Sequence, residues 1–436
     1  MVPLDELLDL LPAERLDSLA VAFRVNAPNQ IRLSGQTVFV CLLNGLVNHP
    51  LLTQRLLQES YTSLTGATTD HTSFGKRLKS IDPGYFEAAF VHLYRRIGAQ
   101  MTPGDERALR LRLVDATMVT LSSKLLQFGI HVGTRGKGPI RYDKHQVKGV
   151  FELSQDGLPG LLHLCKEQRE ANDSHALGDP MIAAAAPGDL FVFDRGCSDR
   201  HRLLAIGERG AFFLTPRKDQ RFRTLEVLWE GSDPEAAATS SDAKTREAAD
   251  TAGSSLATEG SRNPSCPQRA PEDYRLLRVE RAVFENSNDA VSPRARERWA
   301  RIPLIVLYGE RYDQRSRKWT PLVLMTNLPL SEDGQRAGPY PFAELAELYR
   351  LRWQIEIFFR FLKQYLGYEH LVSRSENGIR VMIWMSLIAA LLLVWYRQRT
   401  GIDRGWRSVK FWLAEEAREW TRSLLHRDLL RQVRLE

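Results

Sequence analysis

Between residues 107 and 216 the hydrophobic period switches in a fixed order, and that order narrows the folds open to the chain. Arg110-Leu111-Arg112-Leu113-Val114-Asp115-Ala116-Thr117-Met118-Val119 alternates and then turns apolar, as a strand does. Gln146 to Leu153 and Gly160 to Cys165 repeat the signal on either side of the turn Gln155-Asp156-Gly157-Leu158-Pro159. An Ala-rich helix is predicted over His175 to Ala186, closed by Pro187-Gly188. A short buried strand, Asp189 to Phe193, then ends in Asp194. A helix over Ser198 to Glu208 leads to a last strand, Ala211 to Thr215. Three strands, helix, strand, helix, strand predicts an α/β core with a mixed sheet.

The flanks read differently. Residues 1 to about 106 carry helical signals and no strong strand. Within them Thr72 to Lys79 resembles a short capped basic helix, stopped by Asp82-Pro83-Gly84. That region is either a small bundle with a solvated Lys/Arg face or a helical DNA-contacting domain. Leu225 to Trp229, Leu276 to Phe284, Ile302 to Tyr308 and Trp319 to Met325 predict strands of a second sheet. Between the first two, Ser232 to Asp273 holds no aromatic residue and only Leu256 among bulky aliphatics, so a disordered surface loop is expected. Helices are predicted from Pro341 to Leu366 and from Asn377 to Arg399. The second contains an apolar run, Val381 to Tyr396, broken only by Ser386. The run is shorter than the roughly 20 residues that cross a bilayer, which favours a buried core helix over a membrane span. Residues 400–436 interleave Trp406, Phe411, Trp412 and Trp420 with arginines, an amphipathic helix or a contact for DNA or a second subunit.

Charge and cysteine usage exclude more than they identify. Sixty Lys and Arg against 53 Asp and Glu give +7, an excess that suits a polyanionic partner without naming one. The four cysteines form no C-x-x-C pair, so neither a disulfide scaffold nor a zinc ribbon is supported and a reducing cytoplasm fits. Acids stand at Asp5 and Glu6, where a signal peptide needs a basic region. The basic Gly-rich stretch Gly133 to Pro139 lacks P-loop spacing, which leaves nucleotide hydrolysis without support.

The helix around Glu356 carries the chemistry. Stepped at about 100° per residue, Tyr349, Arg352, Glu356 and Lys363 fall within about 60° of one another. Leu351, Ile355, Phe358, Leu362 and Leu366 form a separate apolar stripe. A solvated face with an Arg352–Glu356 pair, worth some tenths of a kcal/mol, is one reading. A metal or phosphate site is the other, because Trp353, Ile357, Phe359 and Phe361 leave little of this helix for water. Asp115 interrupts an apolar strand, either as a paired structural acid or as a ligand. Asp194 ends a strand, either as the cap of the next helix or as a ligand. Three convergent carboxylates would supply oxygen ligands for two hard divalent cations. Two such ions about 4 Å apart suit phosphodiester cleavage.

Asp115 within Leu-Val-Asp-Ala-Thr, Asp194 within Phe-Asp-Arg-Gly, and the spacing Tyr349-x2-Arg352-x3-Glu356-x6-Lys363 resemble the DDE transposases of bacterial insertion sequences, specifically the IS-four-type group. The resemblance implies an RNase H-like α/β core, a mixed five-stranded sheet with helices, carrying an inserted mainly β subdomain and helical flanks. It divides the chain into an N-terminal DNA-binding domain (1–106), a first core part (107–216), the β-rich insertion (217–330, with loop 232–273), a second core part (331–399) and a helical tail (400–436). It further implies two Mg2+ ions, with Mn2+ able to substitute, on Asp115, Asp194 and Glu356. Tyr349, Arg352 and Lys363 would contact DNA phosphates, with Arg195, Arg217 and Lys218 as further DNA-binding candidates. The family often places a basic residue directly after the Thr that ends the last core strand, whereas this chain has Thr215-Pro216-Arg217-Lys218. Trp299 and Trp319 are candidates to stack a flipped base. The implied reaction is cleavage at terminal inverted repeats and joining of 3′-OH ends to target DNA by cut-and-paste, in a cytoplasmic, nucleoid-associated protein. It takes at least a homodimer on DNA and no membrane. A metal-dependent nuclease without strand transfer and an inactive DNA-binding derivative are the alternatives.

Overall fold

The computed structural model describes residues 4–26, 33–49, 51–101, 109–121, 130–134, 141–165, 167–197, 199–217, 222–231, 270–284, 304–367, 372–373, 375–402 and 406–433. Helices α1 (Leu4–Leu10), α2 (Ala13–Ala22), α3 (Gly35–Asn48), α4 (Gln54–Thr65), α5 (His71–Ser80) and α6 (Pro83–Met101) come first. Then follow β1 (Arg110–Leu121), β2 (Ile130–Thr134), β3 (Arg141–Ser154), β4 (Pro159–Cys165), α7 (Asp173–Ala184), β5 (Asp189–Phe193), α8 (Arg200–Glu208) and β6 (Phe212–Pro216). Strands β7 (Phe222–Glu230), β8 (Tyr274–Phe284), β9 (Leu304–Asp313) and β10 (Lys318–Thr326) precede a two-residue ribbon, β11 (Arg336–Ala337) with β12 (Tyr340–Pro341). Helices α9 (Phe342–Leu351), α10 (Trp353–Tyr365), α11 (Glu376–Thr400) and α12 (Trp406–Val433) close the chain.

β1 is the centre of a mixed sheet, antiparallel to β3 and parallel to β5, which is itself parallel to β6. β3 is long enough to pair with β2 along its first part and with β4 along its second. A buried ion network pins the start of β1 against β5. The Asp189 carboxylate, 3% exposed, accepts from Arg110 Nε at 2.8 Å and from Arg112 Nη1 at 2.9 Å. Arg112 also donates through Nε to Glu152 on β3 at 2.6 Å. Register matters here because a slip of one residue would send every side chain to the other face. Removing one partner would strand an uncompensated buried charge, so the network holds three strands in one alignment.

Among the described residues the expected second sheet does not form. β10 pairs antiparallel with β6, Thr326 opposite Leu214, and β9, β8 and β7 follow outward, giving one ten-stranded sheet. The reason is the edge of β6, whose unpaired backbone groups would otherwise be open. Asn327 completes the seam: its Oδ1 accepts the Phe213 N–H at 2.8 Å and its Nδ2 donates to the Ala211 carbonyl at 3.0 Å. Of the loop expected to be disordered, residues 232–269 lie outside the described residues, as do Arg135 to Pro139 of the basic Gly-rich stretch.

The terminal helices form one bundle rather than two separate flanks. α11 is buried almost end to end, from Gly378 to Tyr396, and packs against α3, α5, α6 and α12. Its 25 residues could span a bilayer by length, but 94% of its most apolar window is buried inside the protein. Burial, rather than a shortfall in length, makes it a core helix apolar on all sides. α12 lies against α3, with Trp420 fully buried. Lys410 on α12 donates to the carbonyls of His49 and Tyr365, and Arg399 pairs with Glu6. Arg77, in the basic helix α5, is buried and donates to the carbonyls of Leu33 and Val25, so it belongs to the core and not to a solvated face.

Candidate active site

Strand register brings the two aspartates together. The last paired residues of β1 and β5, strands about 5 Å apart, are Val114 and Phe193, so Asp115 on β1 and Asp194, the first residue past the end of β5, come next side by side. Val114 and Phe193 both enter the core on one face of the sheet, which leaves the opposite face to the two acids. β5 ends at Phe193 while β1 continues to Leu121, so Asp194 stands at the end of its strand beside the middle of β1. Asp194 is not the cap of α8. That task falls to Asp199, whose Oδ1 accepts the Arg202 N–H at 3.1 Å. Asp194 instead accepts the Gly196 N–H at 2.6 Å within its own turn. The first turn of α7 braces this turn, Ser174 Oγ donating to the Gly196 carbonyl at 3.0 Å.

Glu356 arrives from the other side. The single helix expected over Pro341 to Leu366 is two, broken at Arg352. The backbone there stays helical but tightens, with i→i−3 bonds from Arg352 N–H to the Tyr349 carbonyl and from Ile355 N–H to the Arg352 carbonyl, each 3.1 Å. Ile355, Phe358, Phe359 and Leu362 bury the inner face of α10. Phe359 meets Phe151 of β3 edge-on, centroids 5.6 Å apart, and Phe151 is the residue opposite Asp115. Glu356 lies one turn before Phe359, so this packing carries its carboxylate over β1.

One guanidinium reaches both acids. Arg352 Nη2 lies 2.8 Å from Glu356 Oε1, and its Nη1 lies 3.5 Å from Asp115 Oδ2. The two carboxylates are therefore no farther apart than a guanidinium fork and two polar contacts allow. Asp115 is pushed up to about 6, chiefly by burial, against the pull of the Ala116 N–H and Arg352; Glu356 and Asp194 push it further up. That repulsion joins the three acids electrostatically. Tyr349 sits beneath the Arg352 guanidinium, 5.9 Å from ring centroid to Cζ. Burial raises its phenol, and the charges of Asp194 and Arg195 both act on it. A cluster of three carboxylates with one counter-cation is a hard oxygen donor set that fits a divalent cation.

The other expected site residues scatter. Arg195 is exposed in the turn after Asp194. Lys363 is half-buried two helical turns beyond Glu356, about 10 Å along the axis. Arg217 is engaged inside the sheet, stacked on Phe222 at 4.4 Å and donating to the Tyr308 hydroxyl at 2.9 Å. Lys218 and Trp299 lie outside the described residues. Trp319 in β10 is faced by Arg275 at 4.2 Å and by Tyr312 at 5.4 Å. Sequence reasoning missed Ser174, because the Ala-rich pattern that marks α7 begins only at His175. The signal was present in Asn172, whose side chain caps that helix by accepting the Ser174 N–H.

A family model described as "Transposase DDE domain" matches residues 106–392. A Synechocystis protein described as a transposase for insertion sequence element IS4SA is 37% identical over 363 residues, 81% of this chain and 80% of that protein. Transposase y4zB of Sinorhizobium fredii is 26% identical, over 70% of this chain and 67% of its own length. Among solved structures, a cryo-EM piggyBac transposase synaptic complex with hairpin DNA is similar at TM-score 0.40 and 10% identity, covering 92% of this chain and 74% of that one. The extent of the family match and the shared identity place this chain among the DDE transposases, of the IS4 type: an enzyme that cleaves and transfers DNA strands.

Proposed function

We propose that Asp115, Asp194 and Glu356 hold the divalent ions of this transposase, two Mg2+ with Mn2+ able to substitute, within an RNase H-like core formed by β4, β3, β1, β5 and β6. The observation that carries this reading is the reach of Arg352 across Asp115 and Glu356, beside an aspartate that directly follows the neighbouring strand. When bound, the ions supply the charge that activates the attacking oxygen and stabilises the leaving one. The surrounding residues bind and orient the DNA. Arg352 offers a fork that matches a phosphate, and its Nε is buried with no hydrogen-bond partner among the described residues. Tyr349, with its phenol held protonated, donates to a phosphate oxygen. Arg195 and Lys363 extend the cationic path on either side of the acids.

On this reading water cleaves strands at the terminal inverted repeats, and the freed 3′-OH ends attack target DNA by cut-and-paste. Joining two ends requires two catalytic centres, hence a homodimer on the DNA, acting on nucleoid DNA in the cytoplasm. The test is incubation of purified protein with Mg2+, DNA carrying the element's ends and a target plasmid. Joined products are expected, and cut ends that never join would point instead to a nuclease on the same core. Asp194→Asn should abolish cutting and joining while end binding persists; cutting by that variant at wild-type rate overturns the metal assignment.

A further inference from the structure

The edge strand β4 carries a bulge. Its pairing with β3 runs Phe151 opposite Leu161 and then Val150 opposite His163, so Leu162 is the extra residue. A bulge re-aims the side chains that follow it. Here it sets His163 on the face that Cys165 shares, opposite Val150 and Lys148. Beyond Cys165 the chain folds back through a 3-10 turn, Gln168–Ala171, which returns Glu170 to the strand. Glu170 Oε1 lies 2.6 Å from His163 Nε2, while its Oε2 accepts the Glu167 N–H at 2.7 Å. A ring nitrogen of His163, Sγ of Cys165 and a carboxylate oxygen of Glu170 all fall within 4.8 Å of one another. Cys165 is fully buried and the Glu170 side chain is 13% exposed, so this is no open acidic patch.

We propose that His163, Cys165 and Glu170 form a second metal centre, selective for Zn2+ or a similar borderline ion and separate from the three acids. One imidazole, one thiolate and one carboxylate are donors that zinc takes in a tetrahedral shell, with a water in the fourth position. Mg2+ prefers an all-oxygen octahedron and would discriminate against sulfur and nitrogen. Thiolate and carboxylate together balance the charge of a dication, the Cys165 thiol giving up its proton on binding. Burial pushes the Cys165 thiol up to about 12, with Glu170 adding to the rise, so without a metal it stays protonated; Lys148 Nζ, held beside the cluster by Asp173 at 2.6 Å and by the carbonyls of Glu170 and Ala171, offsets part of that rise. The His163 side chain is 38% exposed, leaving a way in from solvent.

The two centres lie on opposite faces of the sheet. Asp115 stands opposite Phe151, on the face covered by α10, whereas His163 stands opposite Val150, on the face covered by α7. A metal here would clamp the edge of the sheet to the segment that leads into α7, whose first turn holds the Asp194 turn through Ser174 and Gly196. Such a metal would brace the sheet from the face opposite the catalytic acids.

The test is titration of the chelator-stripped full-length protein with Co2+ alone, followed by displacement with Zn2+. The expected result is one Co2+ per chain giving thiolate-to-cobalt charge-transfer absorption, removed by equimolar Zn2+ and untouched by a large excess of Mg2+. Asp194→Asn should keep that band, and Cys165→Ser should lose it. His163→Gln and Glu170→Gln alter partly exposed side chains, so they serve should the buried serine variant not fold. Each removes a direct ligand and should weaken Co2+ binding by at least the roughly 10- to 100-fold typical of losing an outer-shell partner. No charge-transfer band in the wild type overturns the proposal, as does its survival in Cys165→Ser or undiminished affinity in both glutamine variants.

Discussion

Asp115 is stabilising to the fold only while it is protonated. Its ordinary value of 3.8 is raised to about 6, so the favourable contribution is complete below about pH 4 and is lost as pH rises through 6. The side chain is 22% exposed, and the shift corresponds to about 3 kcal/mol at most. Asp115→Asn should therefore stabilise the metal-free protein at pH 8 by about 1–2 kcal/mol, the remainder being offset because a neutral amide attracts Arg352 less than a carboxylate does. At pH 4 the two proteins should melt alike. Thermal unfolding across that range checks the point, and a gain of equal size at both pH values would rule out titration as its cause. Such a variant should be more stable and inactive, the signature of a group placed for chemistry and not for folding. Arg352→Lys keeps the charge but lacks the fork. It should lower cleavage by more than it lowers DNA-end binding, read as a loss in kcat with KM little changed.

At the scale of elements, two seams hold the site in shape. Asn327 joins the end of β10 to β6 through both halves of its amide. Asn327→Ala would leave a buried N–H and a buried carbonyl unpaired, so a loss of about 2–4 kcal/mol is expected in urea unfolding. A loss below about 0.5 kcal/mol would show that the outer strands do not depend on this clamp. The second seam is Ser174, which holds the Asp194 turn from the start of α7. Ser174→Ala should cost about 0.5–1.5 kcal/mol of stability, with a larger proportional fall in kcat than in end binding. An unchanged turnover would mean that the turn keeps its shape through the Gly196 N–H bond to Asp194 alone.

Across the whole molecule, the two termini share a core. Trp420, Leu424 and Leu425 on α12 are buried in the same cluster as Phe39, Val40 and Leu43 on α3. Trp420→Ala should cost about 3–5 kcal/mol, and the loss should appear at the far end of the chain as faster amide exchange in α3. Exchange changes confined to α12 would contradict a common core. For the same reason, removing residues 1–101 would expose α11, an apolar surface that water does not tolerate, so a fragment starting at β1 should aggregate.

The order of elements from β1 to β6, except the short edge strand β2 whose Gly133 and Thr134 read as loop, was legible in the sequence, because period 2, period 3.6 and Gly/Pro punctuation record which face of each segment is buried. The sequence also singles out Asp115 and Asp194 as polar residues where an apolar pattern had no place for them, and the structure brings them side by side. What covers an exposed edge or an apolar helix leaves no such local record. Four strands extended the first sheet instead of building a second, since β6 had an open edge to satisfy and β10 was the segment placed to satisfy it. The helix break at Arg352, which turns one guanidinium toward two acids, is likewise absent from a pattern that reads as continuous helix. Amino-acid order by itself determined which stretches are apolar enough to be buried and which residues carry charge, though not that Arg77 would lie in the core. Only the tertiary structure decided which of them meet, because those meetings join partners hundreds of residues apart, 237 for Arg352 and Asp115 and 393 for Arg399 and Glu6.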